Sequence, residues 1–222
     1  LYTYDIEGLQ AGCHKSLQVI NETLYYLGLH GVYAYSGGTP SLVSAAFGER
    51  QFSEAVAGSD GESYYLSAKE GGKHHLLVYE ARSGIWVRED DTEAVDFARI
   101  GKDLYFLDAA GSVWLADNGK DDGDLPWMAQ FTPFYETSQG RKTYSKLLLR
   151  VELPRGSWLV AEVRYDGGVW RECGKVVGRD YDAVPLRLAM NRCDKFEVRL
   201  RGKGPCALLS LRREFSLGSD VR

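Results

Sequence analysis

The sequence predicts an all-β fold: a partial β-propeller of about three blade-like repeats, followed by a small antiparallel β-sandwich. Three observations predict it. A short aromatic phrase recurs at a spacing of about 40 residues, as Thr23-Leu-Tyr-Tyr-Leu-Gly28, Glu62-Ser-Tyr-Tyr-Leu-Ser67 and Asp103-Leu-Tyr-Phe-Leu-Asp108. Each copy is followed by a turn and a second apolar strand, at residues 31–35, 75–79 and 111–115. The C-terminal part alternates apolar and polar residues with period two, which marks antiparallel sheets with one wet face. Repeats of ~40–45 residues made of short strands are the signature of propeller blades. Aligned on their wording, the three phrases place Tyr25, Tyr64 and Tyr105 at equivalent strand positions in successive sheets.

In chain order, residues 17–20 and 23–29 read as strands around an Asn21-Glu22 turn. Residues 31–35 follow, closed by Ser36-Gly-Gly-Thr-Pro40, whose Gly pair suits a hairpin needing positive φ. Residues 41–47 read as a strand or as one helical turn. Residues 55–58 lead into the second phrase, and residues 75–80 and 84–88 form a strand pair around Ala81-Arg-Ser-Gly84. Residues 94–98 precede the Gly101-Lys-Asp103 turn and the third phrase. The polar stretch Asp117-Asn-Gly-Lys-Asp-Asp-Gly-Asp124 reads as a long hairpin tip or a linker, and residues 125–131 resume a strand. The domain boundary is expected around Ser138-Gln-Gly-Arg-Lys142, giving blade-like repeats over 1–134 and a β-sandwich over 141–222.

In that second part Leu147, Leu149, Val151 and Leu153 point one way, opposite Lys146, Leu148, Arg150 and Glu152. Leu159, Ala161, Val163 and Tyr165 repeat the pattern before Asp166-Gly-Gly168 turns the chain into Val169-Trp170. Phe196, Val198 and Leu200 oppose Glu197, Arg199 and Arg201, and Leu209 and Leu211 close the set. About eight short strands in this part suit a small sandwich.

The totals exclude several classes. The chain has 222 residues, a net charge of −4 and 44% hydrophobic residues, ordinary for a globular protein. No apolar run approaches the ~20 residues of a spanning helix, so no membrane partner is expected. The start lacks a secretory signal and an initiator Met, which leads to the expectation of a piece trimmed from a longer chain. Cys13, Cys173, Cys193 and Cys206 form no metal-ligand spacing and read as reduced thiols of a protein made in a cytoplasm, with a Cys193–Cys206 disulfide as the alternative. The charge is split: residues 141–222 hold 18 Lys/Arg against 10 Asp/Glu, a net of +8, whereas residues 1–140 hold 9 against 21, a net of −12. Such asymmetry suggests two domains with different faces or partners, or two domains each solubilised by its own sign.

No catalytic signature emerges. Nucleophile-elbow, zinc-protease and phosphate-loop motifs are absent from the sequence, so no catalytic, cofactor-binding or metal residue is assigned and no cofactor is expected. His74-His75 is read as an exposed loop end, since neighbours on a strand point to opposite faces and cannot jointly chelate a metal. His14 and His30 are isolated. The acidic stretch 117–124 departs from calcium-loop spacing and reads as a solvated loop. Arg88-Glu-Asp-Asp91 with Glu93 offers paired carboxylates, as acid–base work on a sugar requires, and reads as a charged loop. Asp108-Ala-Ala-Gly-Ser-Val-Trp114 resembles the Asp-box turn of sialidase propellers, with one residue too many between Asp and Gly, and reads as a blade hairpin. Trp158, Trp170 and Tyr165 are the candidates for a sugar-stacking platform, against packing roles. Arg199, Arg201, Arg212 and Arg213 form a candidate basic face for nucleic acid, which salt bridges or an acidic protein partner explain equally well. No aromatic-basic recognition motif accompanies it, so nucleic acid is not the expected partner.

The wording of the chain also resembles a known group. The residues that carry the resemblance are Asn21-Glu-Thr-Leu-Tyr-Tyr-Leu-Gly28 with Gly31-Val-Tyr-Ala-Tyr-Ser-Gly-Gly38, then Tyr64-Tyr-Leu-Ser67, Leu77-Val-Tyr-Glu-Ala-Arg-Ser-Gly-Ile-Trp-Val-Arg-Glu-Asp90 and Asn191-Arg-Cys-Asp-Lys-Phe196. They look like uncharacterised proteins of tailed phages and prophages of Gram-positive bacteria, over nearly the whole chain. The first phrase is also similar to β-propeller components of phage tails and necks. The resemblance implies a non-enzymatic virion structural role in tail or neck assembly or attachment. It implies other virion proteins or copies of the chain as partners, and a protein made in the host cytoplasm and carried in the virion. It brings no catalytic motif. The rival reading is a carbohydrate-binding module of a cell-surface recognition protein, with a glycan as partner. A glycan-cleaving propeller enzyme is the third. Three repeats are fewer than the ~4–8 blades of a closed propeller, so further blades are expected upstream of Leu1.

Overall fold

Each aromatic phrase forms the second strand of its own antiparallel sheet. In the computed structural model, which describes residues 7–117, 125–135, 140–179 and 183–217, the first sheet runs β1 (Gln18–Ile20), β2 (Thr23–Gly28), β3 (Gly31–Tyr35) and β4 (Ser41–Leu42). The second runs β5 (Ser53–Ser59), β6 (Ser63–Glu70), β7 (Lys73–Glu80) and β8 (Ile85–Arg88), and the third β9 (Ala94–Ile100), β10 (Asp103–Asp108) and β11 (Val113–Leu115). All three are up-and-down meanders of neighbouring strands, as blades are. Asn21 and Glu22 have φ of +48° and +65°, the pair of left-handed residues that a two-residue hairpin turn demands. Gly37 and Gly38 are likewise left-handed, at +103° and +88°. Residues 41–47 contain both expected alternatives, the short β4 and a 3-10 turn at Ala45–Phe47.

The tyrosines fall on equivalent strands but do not all face the same way. Directly opposed residues of an antiparallel pair share a face, and successive residues alternate. Tyr25 lies toward the second sheet, its ring 5.7 Å from Tyr64 and 5.8 Å from Tyr79. Tyr64 looks back at the first sheet and donates its hydroxyl to the Ser16 carbonyl at 2.7 Å. Tyr65 therefore faces the third sheet, alongside its partner Gly58, whose bare Cα lets Phe97 of β9 approach. Phe97 and its partner Phe106 face the second sheet, so Tyr105 points away from it. The set with a common orientation is Tyr25, Tyr65 and Tyr105, spaced by 40 and again 40 residues. The wording alignment slips by one because the β5–β6 loop is longer. Its first pair is Ser59 with Tyr64, whereas the equivalent pairs are Ile20 with Thr23 and Ile100 with Asp103.

The interface between the first two sheets is the apolar core of this part. Ile20, Leu27, Val32, Tyr64, Leu66 and Leu77 are each at most 1% exposed. The buried Ser16 hydroxyl satisfies the Leu27 N–H, and Trp86 Nε1 donates to the Val43 carbonyl, tying β8 to the end of the first sheet.

The chain divides at Lys120/Asp121, earlier than the expected boundary between 134 and 141. The physical reason is β12 (Pro126–Gln130), which pairs with β17 (Phe196–Lys203) and so belongs to the second unit. Among the described residues that unit has seven strands, β12 included, where the sequence suggests about eight over residues 141–222 alone. Part of the difference is β13 (Lys142–Tyr165), a single strand of 24 residues where the sequence suggests two. Its first half pairs with β15 (Val184–Arg187), β16 (Arg192–Cys193) and β18 (Ala207–Leu217). Its second half pairs with β17 and with β14 (Arg171–Arg179). The pairing is interrupted between Leu153 and Trp158, around Pro154 and the left-handed Gly156 (φ +92°). One strand thus serves both sheets, and Leu147, Leu149, Val151 and Leu153 share one core with Leu159, Ala161, Val163, Phe196, Val198 and Leu200, as their alternation predicts. Leu209 departs from the expectation at 57% exposed. Arg150 pairs with Ser210 and Val151 with Leu208, so Leu209 is the extra residue of a β-bulge, and Leu208 and Leu211 pack on the core instead.

Candidate functional site

The residues singled out for acid–base work are engaged structurally. His74 and His75 lie on β7 and not at an exposed loop end, with side chains only 14% and 10% exposed. His75 Nδ1 is 3.1 Å from Asp91 Oδ1, and its Nε2 is 3.6 Å from Glu70. On the opposite face, His74 Nε2 is 3.6 Å from Glu93, while its Nδ1 is buried without a hydrogen-bond partner. Glu70 is also bound by Arg50, and Asp91 by Arg88. The Arg50 hydrogen bond holds the Glu70 carboxyl below the usual range, and Arg88 together with His75 does the same for Asp91. Carboxyls held ionised by guanidinium partners are poor proton donors near neutrality. His30 Nδ1 sits 3.2 Å from Glu7. Among the described residues no group of three or more His, Cys, Asp or Glu is placed to hold a metal. Of the acidic stretch 117–124 only Asp117 lies among the described residues.

Asp108 organises the β10–β11 hairpin. Its Oδ1 accepts from the N–H groups of Ala110 and Ser112 at 2.9 and 2.8 Å, and its Oδ2 accepts from Trp114 Nε1 at 2.7 Å. These bonds, the Trp114 one foremost, hold the carboxyl below its ordinary range.

In the second unit the candidate aromatics are already in contact with the protein. The Trp170 ring has the guanidinium carbons of Arg164 and Arg199 at 4.6 and 4.4 Å, and Lys175 lies 4.9 Å from the Trp158 ring. Tyr165 donates its hydroxyl to the Ala189 carbonyl at 2.9 Å, and burial pushes that hydroxyl up to about 12. The four candidate arginines do not form one basic face. Arg199 and Arg201 lie on β17 and both bind Glu162, at 2.7 and 2.8 Å. Arg212 and Arg213 lie on β18, on the other half of the sandwich, where adjacent residues point to opposite sides. Glu162 and Glu197 are buried under this arginine network, at 10% and 2% side-chain exposure. All four cysteines are free thiols, so Cys193 and Cys206 are unpaired.

Sequence reasoning missed two features. The first is a cleft of about 820 Å³ where hairpin turns of all three blade-like sheets gather, lined by Asn21, Tyr25, Asp60, Arg82, Arg99 and Lys102 among others. Its residues are scattered over more than 80 positions and share no motif. The second is the apolar character of the two outermost sheet faces. On the first sheet Leu17, Val19 and Tyr35 are 42%, 66% and 37% exposed, beside an apolar hollow of about 270 Å³ that Tyr26 also lines. On the third sheet Ile100, Val113 and Leu115 are 69%, 68% and 38% exposed, on the face that carries Tyr105.

No family model matches the chain, and no curated protein matches it. Among solved structures it is similar to the exo-β-1,3-galactanase of Phanerochaete chrysosporium with bound galactose, at 8% identity and a TM-score of 0.27, over 91% of this chain and 67% of that one. It is also similar to a glycoside hydrolase at 11% identity and a TM-score of 0.29, over 89% of this chain and 69% of that one. The chain spans about two thirds of the length of such structures, 65% for the same galactanase bound to β-1,3-galactotriose. Likeness at these TM-scores carries no argument about site or activity.

Proposed function

We propose that this chain is a non-enzymatic structural component of a tailed phage or prophage particle, acting in tail or neck assembly or attachment. The observation that supports an assembly role is the pair of apolar faces at the two ends of the blade array. Apolar surface of this kind on a stacked repeat is the surface on which the next repeat or a partner packs. The resemblance of its wording to phage proteins is what points to a particle. The engaged state of the Glu70 and Asp91 carboxyls favours structure over acid–base chemistry. The test is the protein content of purified particles from an induced lysogen that encodes the chain. The expected result is this protein at a fixed copy number per particle, resistant to a high-salt wash. Its absence from washed particles would sink the reading.

A carbohydrate-binding module is the second reading, and the polar cleft at the hairpin ends favours it. The Trp158 and Trp170 platform does not, because cations already lie over both rings. A glycan array separates the two readings: saturable binding of a neutral sugar, with no protein in particles, replaces the first by the second.

A further inference from the structure

We infer that the cleft at the hairpin end of the blade array is an anion-binding site, taking a carboxylate or phosphate group carried on an extended polar ligand. The inference goes beyond the assembly role and stands whether or not the chain belongs to a particle. Three cations from separate turns meet there: Arg82 from the β7–β8 turn, Arg99 from the end of β9 and Lys102 from the β9–β10 turn. All three are exposed, and none makes an ion pair among the described residues. Arg99 Nε donates to the Gly101 carbonyl at 3.0 Å, and its guanidinium lies over Gly61, where any side chain would collide with it. The opposing charge is smaller. Among the described lining residues two carboxylates face the three cations, Glu62 and Asp60, the latter fixed in place by the N–H groups of Glu62 and Ser63 at 2.8 and 2.7 Å and the Tyr65 hydroxyl at 3.3 Å, so the lining keeps a net positive charge.

This arrangement runs against the charge of its surroundings. Residues 1–140 hold only 9 Lys/Arg against 21 Asp/Glu, yet three of the nine line one cleft. Like charges gathered without partners repel, and low-dielectric walls focus their field on whatever enters. A neutral ligand gains nothing from that field, whereas an anion neutralises it. The volume of about 820 Å³ exceeds what a lone phosphate fills and lies in the range of ligand sites, ~300–1,000 Å³. Asn21, Thr23 and Tyr25 add neutral polar groups along one wall, as a hydroxyl-rich body would use.

The experiment titrates the whole chain with tri-galacturonate, inorganic phosphate and neutral cellotriose, read by calorimetry and by amide chemical shifts. The expected result is saturable binding of at least one of the two anions, with shifts centred on Asn21, Gly61 and Lys102. Affinity should fall at least tenfold in Arg99→Ala and in Lys102→Ala. It should also fall when ionic strength rises from about 0.1 to about 1 M, which shortens the screening length from about 10 Å to about 3 Å. Lys73→Ala, which removes an exposed cation outside the cleft, should change nothing. Tri-galacturonate binding alone identifies a carboxylate ligand, and phosphate binding alone a phosphate one. Failure of both anions, equal loss in Lys73→Ala, or cellotriose binding as tightly as the anions would overturn the inference.

Discussion

At the scale of single residues, the second unit depends on two enclosed carboxylates. Glu197 is bound by Arg164 at 2.6 Å and by Lys195 at 3.4 Å, and Glu162 by Arg199 and Arg201. Burial works against ionisation at both sites, but the guanidinium partners more than offset it and hold both carboxyls below the usual range. Removing one member of a buried ion pair leaves the other uncompensated, at a cost of roughly 3–5 kcal/mol. Glu197→Ala should therefore destabilise the second unit by about 3 kcal/mol, read as a lower urea midpoint. A change under about 0.5 kcal/mol, the level of an ordinary surface site, would show the network to be ornamental. The same groups set a pH dependence. A carboxyl whose folded pKa is depressed contributes stability that is complete above its unfolded value, about 4.3, and is lost as pH falls through the folded value. The urea midpoint of this unit should be flat from neutrality to about pH 5 and fall below about pH 4, and Glu197→Gln should flatten that fall.

At the scale of elements, glycines decide how closely strands approach. A Cβ at Gly58 would lie 2.5 Å from the Cβ of Phe97, so the β5–β9 contact exists because that position is bare. Gly58→Ala should cost about 1–3 kcal/mol, the range of overpacking, and should expose the amides of β9 and β10 to hydrogen exchange ahead of the rest. The double variant with Phe97→Ala should regain part of the loss, and additive losses would show that the two residues do not meet in solution. In the sandwich, a side chain at Gly178 would collide with the Pro154 carbonyl where β13 breaks its pairing. Gly178→Ala should therefore prevent the second unit from reaching its native near-ultraviolet circular dichroism, whereas Lys175→Ala, three residues away on the same strand, should leave it intact.

At the scale of the whole molecule, three blade-like sheets end in two apolar faces. Patches of this kind beyond a few hundred Å² are uncommon on proteins that stay monomeric. At about 25 cal/mol per Å², covering ~600 Å² is worth on the order of 15 kcal/mol before the costs of association. The isolated chain should therefore self-associate reversibly at micromolar concentration, measured by light scattering. Val113→Lys or Val19→Lys should weaken that association without lowering the melting temperature, since both residues are exposed, at 68% and 66%. A strict monomer at high concentration with both faces bare would show that these faces need no cover.

The sequence by itself determined the fold class, the strands and most of the core. Period-two alternation and a 40-residue repeat are local properties, and most strands from Gln18 to Leu115 were legible from them together with their Gly, Asn or Asp turns, whereas β4 was left open between strand and helical turn and β5 was read only as the lead into β6. Tertiary structure decided what depends on loop length and on distant neighbours. The longer β5–β6 loop set which tyrosine faces which sheet, the bulge at Leu209 reversed a period-two reading, and the pairing of β12 with β17 moved the boundary to Lys120. Neither the enclosure of His74 and His75 nor the cleft of Arg82, Arg99 and Lys102 has a sequence signature. Both arise where turns and strands far apart in the chain are brought together, and side-chain identity at one position carries no information about which distant group will lie beside it.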